Sequence, residues 1–127
     1  MNGFFEMSAG EGELPPSVRQ QLVRFQQLQQ TLNAILVEKQ RLELELVEVK
    51  SALEELQKVS DDAAIYKAVG PVLVQTSKQQ IVEELTERKE LTETRLKLLE
   101  KQEQRTREQL ESLQKELRMA LSGQGPA

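Results

Sequence analysis

The side chains that most often perform catalysis are scarce in this sequence. Its 127 residues include no Cys, no His and no Trp, which excludes thiolate nucleophiles, imidazole bases and the usual ligands of zinc. Carboxylates are the remaining proton-exchanging groups, but Asp and Glu fall at outward positions of the predicted helices, where solvation is their ordinary role. The sequence therefore predicts a protein that is not an enzyme and that uses no cofactor or metal ion.

The most distinctive stretch of the sequence is residues 65–76, and its residues favour the pairing of two β-strands. Two five-residue runs of β-prone residues flank Gly70-Pro71, a pattern that predicts a β-hairpin with the glycine at a positive φ. Pro71 donates no amide hydrogen, so it is expected in the turn or on an unpaired edge.

The predicted hairpin, residues 64–76, is too small to be stable alone, because an isolated pair of strands is marginal in water. Both of its faces carry apolar residues, and both of its edges invite pairing. We expect it to join hairpins of other subunits, most economically in a closed β-barrel; the alternative is a loop packed against its own helix ends. The residues expected to form these contacts are Ile65, Tyr66, Val69, Val72, Leu73 and Val74.

Heptad-patterned segments on both sides of the hairpin predict two long helices, residues 16–59 and 77–121. No Gly or Pro interrupts residues 17–59 or 77–121, and each helix is expected to begin with a capping box, Ser17 with Gln20 and Ser77 with Gln80. Gly123 is expected to end the second helix in a left-handed cap. The predicted apolar seam contains Phe25, Leu28, Leu32, Ile35, Lys39, Leu42, Leu46, Val49, Leu53 and Leu56, then Val82, Leu85, Lys89, Thr92, Leu96, Leu99, Glu103, Thr106, Leu110, Leu113, Leu117 and Ala120.

Composition agrees with this architecture, since charged residues make up 30% of the chain and aromatic residues only 3%. Such a chain has many outward charges and few large side chains for a globular core. The predicted fold class is therefore mainly α: a long antiparallel coiled-coil helical hairpin whose helices are linked by a single β-hairpin, which joins an oligomeric β-barrel platform.

The two seams can be aligned against each other. An antiparallel alignment that brings Leu42 to Leu99 also places Lys39 opposite Glu103. These two charged interruptions of the stripes are predicted to form a pair that sets the register more than it stabilises the fold, because desolvation offsets most of the attraction. The alternative is that both side chains reach outward to solvent.

The free ends of the two helices form the second candidate site. Helix ends without a partner are expected to expose apolar side chains, which could bind other apolar chains; ordinary fraying of a coiled-coil end is the alternative. Residues 1–14 and 122–127 are predicted to be flexible tails, although Phe4, Phe5, Met7 and Leu14 could form an adhesive patch beside the start of the first helix.

Several classes of partner are excluded by charge and hydropathy. The net charge is −4 without a basic stripe, so no nucleic acid is expected. No run of 18 apolar residues occurs, so no membrane span is expected. No Lys or Arg precedes Arg19, which is unlike a signal or transit peptide. Without Cys the sequence carries no mark of the redox environment, so a reducing cytoplasm is the default expectation.

Four stretches of the chain resemble the prefoldin family, and within it the β subunit of the archaeal type. They are Pro15-Pro16-x-Val18, Gln27-Leu28-Gln29-Gln30, Ala52-Leu53-Glu54-Glu55-Leu56 and, most specifically, Asp61-Asp62-Ala63-Ala64-Ile65-Tyr66-Lys67-Ala68-Val69-Gly70. The resemblance covers about residues 14 to 121. Two features depart from the family pattern: Pro71 stands where a polar turn residue is common, and the Phe4-Phe5 tail is longer.

The resemblance implies an ATP-independent chaperone. Two α and four β subunits would form a hexamer in which the β-hairpins build a double-barrel platform and six coiled coils project from it. Non-native polypeptides would be captured at the coil tips and passed to a group II chaperonin. Carried onto this chain, the client-binding residues would lie among Val18, Leu22, Phe25, Leu110, Leu113, Leu117 and Leu121. The alternative function is a structural coiled-coil adaptor that binds one defined folded partner.

Overall fold

A computed structural model describes residues 14–123 of the chain. Two long helices, α1 (Pro16–Gln57) and α2 (Lys78–Leu121), are joined by the antiparallel strands β1 (Ile65–Val69) and β2 (Val72–Thr76). The predicted fold of two coiled-coil helices linked by one β-hairpin is thereby confirmed. Residues 1–13 and 124–127, which make up most of the two predicted tails, lie outside the described residues. Neither described helix combines the length and the hydropathy that crossing a membrane requires.

The two helices begin in different ways. The amides of Val18 and Arg19 donate to the carbonyl of Pro15, at 3.0 and 3.1 Å, so α1 begins at Pro16, a position where a missing amide hydrogen costs nothing. Ser17 therefore lies inside the first turn, and the capping box predicted for it is wrong. At the start of α2 the amide of Gln80 donates to Ser77 Oγ at 3.1 Å, as predicted.

The ends of the helices are also defined by local bonds. Helix α1 ends at Gln57, two residues before the predicted end. The side chain of Lys78 crosses to the chain beyond it, because Lys78 Nζ donates to the Val59 carbonyl at 2.8 Å and lies 3.2 Å from Asp61 Oδ1. Helix α2 ends at Leu121, and Gly123 has a φ of 76°, which is the predicted left-handed cap.

The described residues divide into two units, each containing parts of both helices. The terminal unit consists of residues 14–36 and 102–123, and the hairpin unit consists of residues 37–101. Every predicted seam position except Ala120 is buried or half-buried. The two threonines of the seam, Thr92 and Thr106, are both buried. Thr92 Oγ1 donates to Glu45 Oε2 at 2.9 Å, so a polar seam position is satisfied from the facing helix.

The predicted alignment also brings Leu28 to Leu113, and Leu28 packs against the buried cluster that contains Leu113. Two hydrogen bonds between the helices join residues about one turn from direct opposition in that alignment: Gln21 Nε2 contacts Glu116 Oε2 at 3.3 Å, and Thr92 Oγ1 donates to Glu45 Oε2. Glutamine and glutamate side chains can reach along a helix by about the 5.4 Å of one turn. The alignment therefore stays a prediction.

The predicted pair of Lys39 and Glu103 belongs to the same alignment. Lys39 belongs to the hairpin unit and Glu103 to the terminal unit. Glu103 Oε2 accepts a hydrogen bond from Arg107 Nε at 2.9 Å. The pairing of Lys39 with Glu103 stays a prediction.

Leu42 and Leu44 provide a matched test of the seam, since Leu42 is 1% exposed and Leu44 is 61% exposed on the same helix. Replacing Leu42 with Ala is expected to lower the free energy of unfolding by about 3 kcal/mol, because a buried leucine leaves a cavity. The same change at Leu44 is expected to stay within about 0.5 kcal/mol. Chemical denaturation followed by helical circular dichroism measures both, and equal losses would contradict the seam.

Candidate functional site

The β-hairpin is formed by the two predicted runs of residues. Val69 pairs with Val72 next to the turn, and Ile65 pairs with Thr76 at its base. Gly70 has a φ of 58° and no non-glycine residue in the described chain has a positive φ, so the two-residue turn has the type II′ pattern. Pro71 occupies the second turn position, where its missing amide hydrogen interrupts no bond between the strands.

One face of the hairpin is exposed along its whole length. It carries Tyr66 and Ala68 from β1 and their partners Gln75 and Leu73 from β2. Tyr66 is 58% exposed and Leu73 is 73% exposed. Exposed apolar side chains of this size on a strand pair are unusual in a monomer and typical of a contact surface.

The other face is covered only near its base. Ile65, Lys67 and Thr76 are half-buried there. Lys67 Nζ lies 3.1 Å from Glu84 Oε1 of α2, a bond that orients the hairpin on the helix although an exposed ion pair adds little stability. Towards the turn this face exposes three valines: Val69, Val72 and Val74.

The described hairpin is a two-stranded sheet, so the outer edge of each strand has backbone groups without a strand partner in the described part of the chain. Five of the six residues predicted for oligomer contacts are exposed, and Ile65 is half-buried. The predicted alternative, a loop packed on its own helix ends, is therefore not what forms. Open edges together with apolar faces are the features through which one sheet adds to another.

The terminal unit contains the second set of predicted site residues, and its interior is closed. Val18, Leu113 and Leu117 form a buried cluster. Four partly buried residues pack around it: Leu14, Leu22, Phe25 and Leu28. Leu113 and Leu117 are buried as their predicted seam positions require, and Val18 is buried where exposed apolar side chains were expected, because the helices stay paired there.

Apolar surface remains available beside this cluster. Met119 and Leu121 are exposed in the last turn of α2. A shallow groove also runs between the helices of the terminal unit, lined by Phe25, Gln29, Leu32, Asn33, Leu36, Leu110 and Gln114. The predicted set included Phe25 and Leu110 but missed Leu36 and Asn33. Both flank the seam, and flanking positions can be assigned to a groove only when the helix register is known.

The chemical groups of the described residues fit a binding role. Residues 14–123 hold no group of three or more His, Cys, Asp or Glu that could bind a metal ion. Glu38 and Arg41 have clearly shifted pKa values, and their side chains are joined by hydrogen bonds of 2.8 and 2.7 Å. Those bonds lower the pKa of Glu38 and raise the pKa of Arg41. Both side chains are surface groups, so the shift marks a solvated ion pair.

The chain has two long helices with a buried apolar seam and one β-hairpin with unpaired edges and exposed apolar residues. These features are typical of a coiled-coil subunit of an oligomer. Comparison with known proteins identifies the group. The family model described as "Prefoldin subunit" matches residues 19–124. The chain belongs to the prefoldin family.

Curated relatives named prefoldin subunit beta match most of the chain. The protein of Archaeoglobus fulgidus is 45% identical over 113 residues, covering 89% of this chain and 97% of the relative. That of Saccharolobus islandicus is 46% identical over 110 residues, covering 87% of each. Among solved structures, the prefoldin beta subunit of Thermococcus strain KS-1 superimposes with a TM-score of 0.76 at 38% identity, covering 92% of this chain and all of that one. The beta2 subunit of the same strain gives a TM-score of 0.64 at 26% identity, covering 72% of this chain and 97% of that one.

Membership in the prefoldin family indicates a general role for this chain. Prefoldin subunits are chaperones that assemble with other prefoldin subunits into hetero-oligomers. The chain therefore has a prefoldin chaperone role, and the curated relatives that it matches are named β subunits.

Proposed function

We propose that this chain is the β subunit of an ATP-independent co-chaperone that holds non-native polypeptides and transfers them to a group II chaperonin in the cytoplasm. Two α and four β subunits form the assembly, and their hairpins build a double-barrel platform. The observation that supports this most directly is the open hairpin, because its exposed apolar faces favour joining several copies. Each copy then contributes one pair of helix ends.

The client contacts are assigned to the terminal unit. Leu121 and the neighbouring Met119 supply exposed apolar surface, and the groove beside Phe25 and Leu110 extends it. The buried members of the predicted set hold these surfaces in place. The full set comprises Val18, Leu22, Phe25, Leu110, Leu113, Leu117 and Leu121, and the platform set comprises Ile65, Tyr66, Val69, Val72, Leu73 and Val74.

The assembly holds a client through weak contacts that several helix ends on one platform make with it. A single apolar helix end binds an extended client poorly, since few side chains are exposed on it. Tethering several ends to the same platform raises the effective concentration of the second and third contacts, often to the millimolar range. Each contact still breaks easily, so the client can leave for a chaperonin without nucleotide hydrolysis.

A second candidate function is the adaptor, and one observation favours it. The hairpin unit exposes large apolar residues away from the seam, namely Val37, Leu44, Val47, Leu91 and Leu98. Such residues could dock one folded partner along the helices. An adaptor would bind that partner stoichiometrically, whereas a holding chaperone would suppress the aggregation of unrelated unfolded proteins.

The proposal is tested by following the aggregation of two unrelated, chemically unfolded proteins by light scattering, in a buffer that contains no ATP. We expect the assembly of this chain with an α subunit to suppress the scattering of both clients, and the chain alone to do so less well. Adding a group II chaperonin should then move the client into the chaperonin fraction on a native gel. Suppression of neither client, or suppression only with ATP, would contradict the holding function.

A further inference from the structure

The start of α1 carries a surface patch that the assembly and client contacts described above do not use. From Pro16 to Val37 the helix contains two charged residues, Arg19 and Arg24, and no acidic residue. Both arginines flank Val23, which is exposed to solvent. We name this surface the outer patch, and its lining residues are Arg19, Gln20, Val23, Arg24 and Gln27.

The guanidinium groups of the outer patch have no carboxylate partner among the described residues. The ion pairs of residues 14–123 involve other arginines and lysines, such as Arg41 and Arg107. The patch therefore joins an exposed apolar side chain to two cations that are available to an incoming anion. Arginine stems also add apolar area beside Val23.

The chain itself supplies a segment of complementary chemistry. Residues 1–13 contain Glu6, Glu11 and Glu13 but no Lys or Arg. They also contain Phe4 and Phe5 directly before Glu6. An acidic, aromatic segment matches a basic patch with an apolar centre, because arginine binds both carboxylates and aromatic faces.

The length of this segment allows it to reach the patch. Leu14 is partly buried against the cluster of Val18, Leu113 and Leu117, which fixes the point where the segment joins the terminal unit. The nine residues from Phe5 to Leu14 can span about 30 Å when extended. Val23 lies nine residues along α1 from Leu14, about 14 Å at 1.5 Å per residue. A tether of this length keeps the segment near the patch at about millimolar effective concentration.

We propose that residues 4–7 of the same chain dock on the outer patch. Phe4 or Phe5 covers Val23 and stacks on an arginine, while Glu6 pairs with Arg19 or Arg24. The bound segment is this chain's own N-terminal segment, and the outer patch is a binding site for an acidic, aromatic peptide.

Photo-crosslinking of the assembled full-length protein tests this docking. The chain has no Cys, so Gly3→Cys introduces a single thiol that can be labelled with benzophenone maleimide beside Phe4. After illumination, mass spectrometry should find the crosslinks concentrated on peptides that contain residues 19–27. Crosslinks spread evenly over the terminal unit, or concentrated on Met119 and Leu121, would overturn the proposal.

Variants separate specific docking from simple proximity. Arg19→Glu with Arg24→Glu should lower the crosslink yield at residues 19–27 by about fivefold, the size expected for losing exposed ion pairs of ordinary strength. Phe4→Ser with Phe5→Ser should lower it similarly. Arg105→Glu, a charge reversal elsewhere in the terminal unit, should leave the yield unchanged. An unchanged yield in the double arginine variant, with helical circular dichroism intact, would overturn the proposal.

Isotope mixing identifies the chain that supplies the segment. Assemblies made from equal amounts of light and ¹⁵N-labelled chains should give crosslinks within one isotope only. Mixed-isotope crosslinks in quantity would assign the segment to a neighbouring copy and overturn the docking within one chain. These readouts do not involve a client, so they stand or fall independently of the aggregation assay.

Discussion

Replacing Leu73 with Lys is expected to dissociate the prefoldin assembly while leaving both helices folded. Leu73 is 73% exposed in the single chain, so the substitution costs the subunit little by itself. In the proposed assembly the same position meets another hairpin, and an ammonium group without a partner in an apolar contact costs about 3 kcal/mol or more. That cost weakens each contact by about a hundredfold. Native mass spectrometry over a dilution series should show subunits in place of the wild-type oligomer.

Gln75→Lys is the matched control for this experiment, because Gln75 lies on the same strand and the same exposed face. It introduces the same charge at a position that is already polar and nearer the base of the hairpin. We expect its assembly to remain within about tenfold of the wild type in affinity. An intact oligomer for Leu73→Lys, or equal dissociation of both variants, would contradict assembly through the apolar hairpin faces.

The hairpin could be predicted in detail because its signals are local. β-Branched alternation defines the two strands, and Gly70 supplies the one positive φ that a type II′ turn requires. The capping of α2 by Ser77 is local in the same sense, because the hydroxyl and the Gln80 amide are three residues apart. Neither feature depends on how distant parts of the chain pack.

The register of the helices is harder to predict, because a heptad stripe looks nearly the same after a shift of three or four residues. Sliding one helix by a turn replaces one leucine contact with another, so the apolar pattern discriminates weakly between alignments. The predicted alignment opposes Leu42 to Leu99, and the same alignment opposes Lys39 to Glu103. The sequence did not predict the polar contact of the seam, in which buried Thr92 binds Glu45 on the facing helix. A threonine in a seam gives no sequence signal of where its acceptor lies.

The condition of the helix ends could be predicted only in part. An apolar residue near a chain end is exposed or buried according to whether the partner helix extends past it, and the sequence does not fix where the partner ends. Val18 and Leu117 complete a core, whereas Met119 and Leu121 are exposed. Which side chains can touch a client therefore depends on how far each helix extends beside the other.

Met119→Ser combined with Leu121→Ser is expected to weaken client holding without loosening the terminal unit. Leu121 is 44% exposed, so serine removes surface that a client could cover and little that the core uses. Losing about 1 kcal/mol of apolar contact at each position corresponds to an affinity about thirtyfold lower for one helix end. Light scattering of an unfolded client should then require a higher concentration of the assembly for half-maximal suppression, while its mass by native mass spectrometry and its thermal unfolding midpoint stay at the wild-type values.

Two controls distinguish a contact surface from general instability. Leu117→Ser should reduce both holding and stability, because Leu117 is 6% exposed and its loss opens a cavity in the cluster. Leu98→Ser removes a leucine that is 57% exposed on the same helix but in the hairpin unit, and it should change neither. If Leu98→Ser impaired holding as strongly as the double variant, clients would bind along the helices and the adaptor surface would be the active one. If the double variant suppressed aggregation as well as the wild type, the helix ends would not be where clients are held.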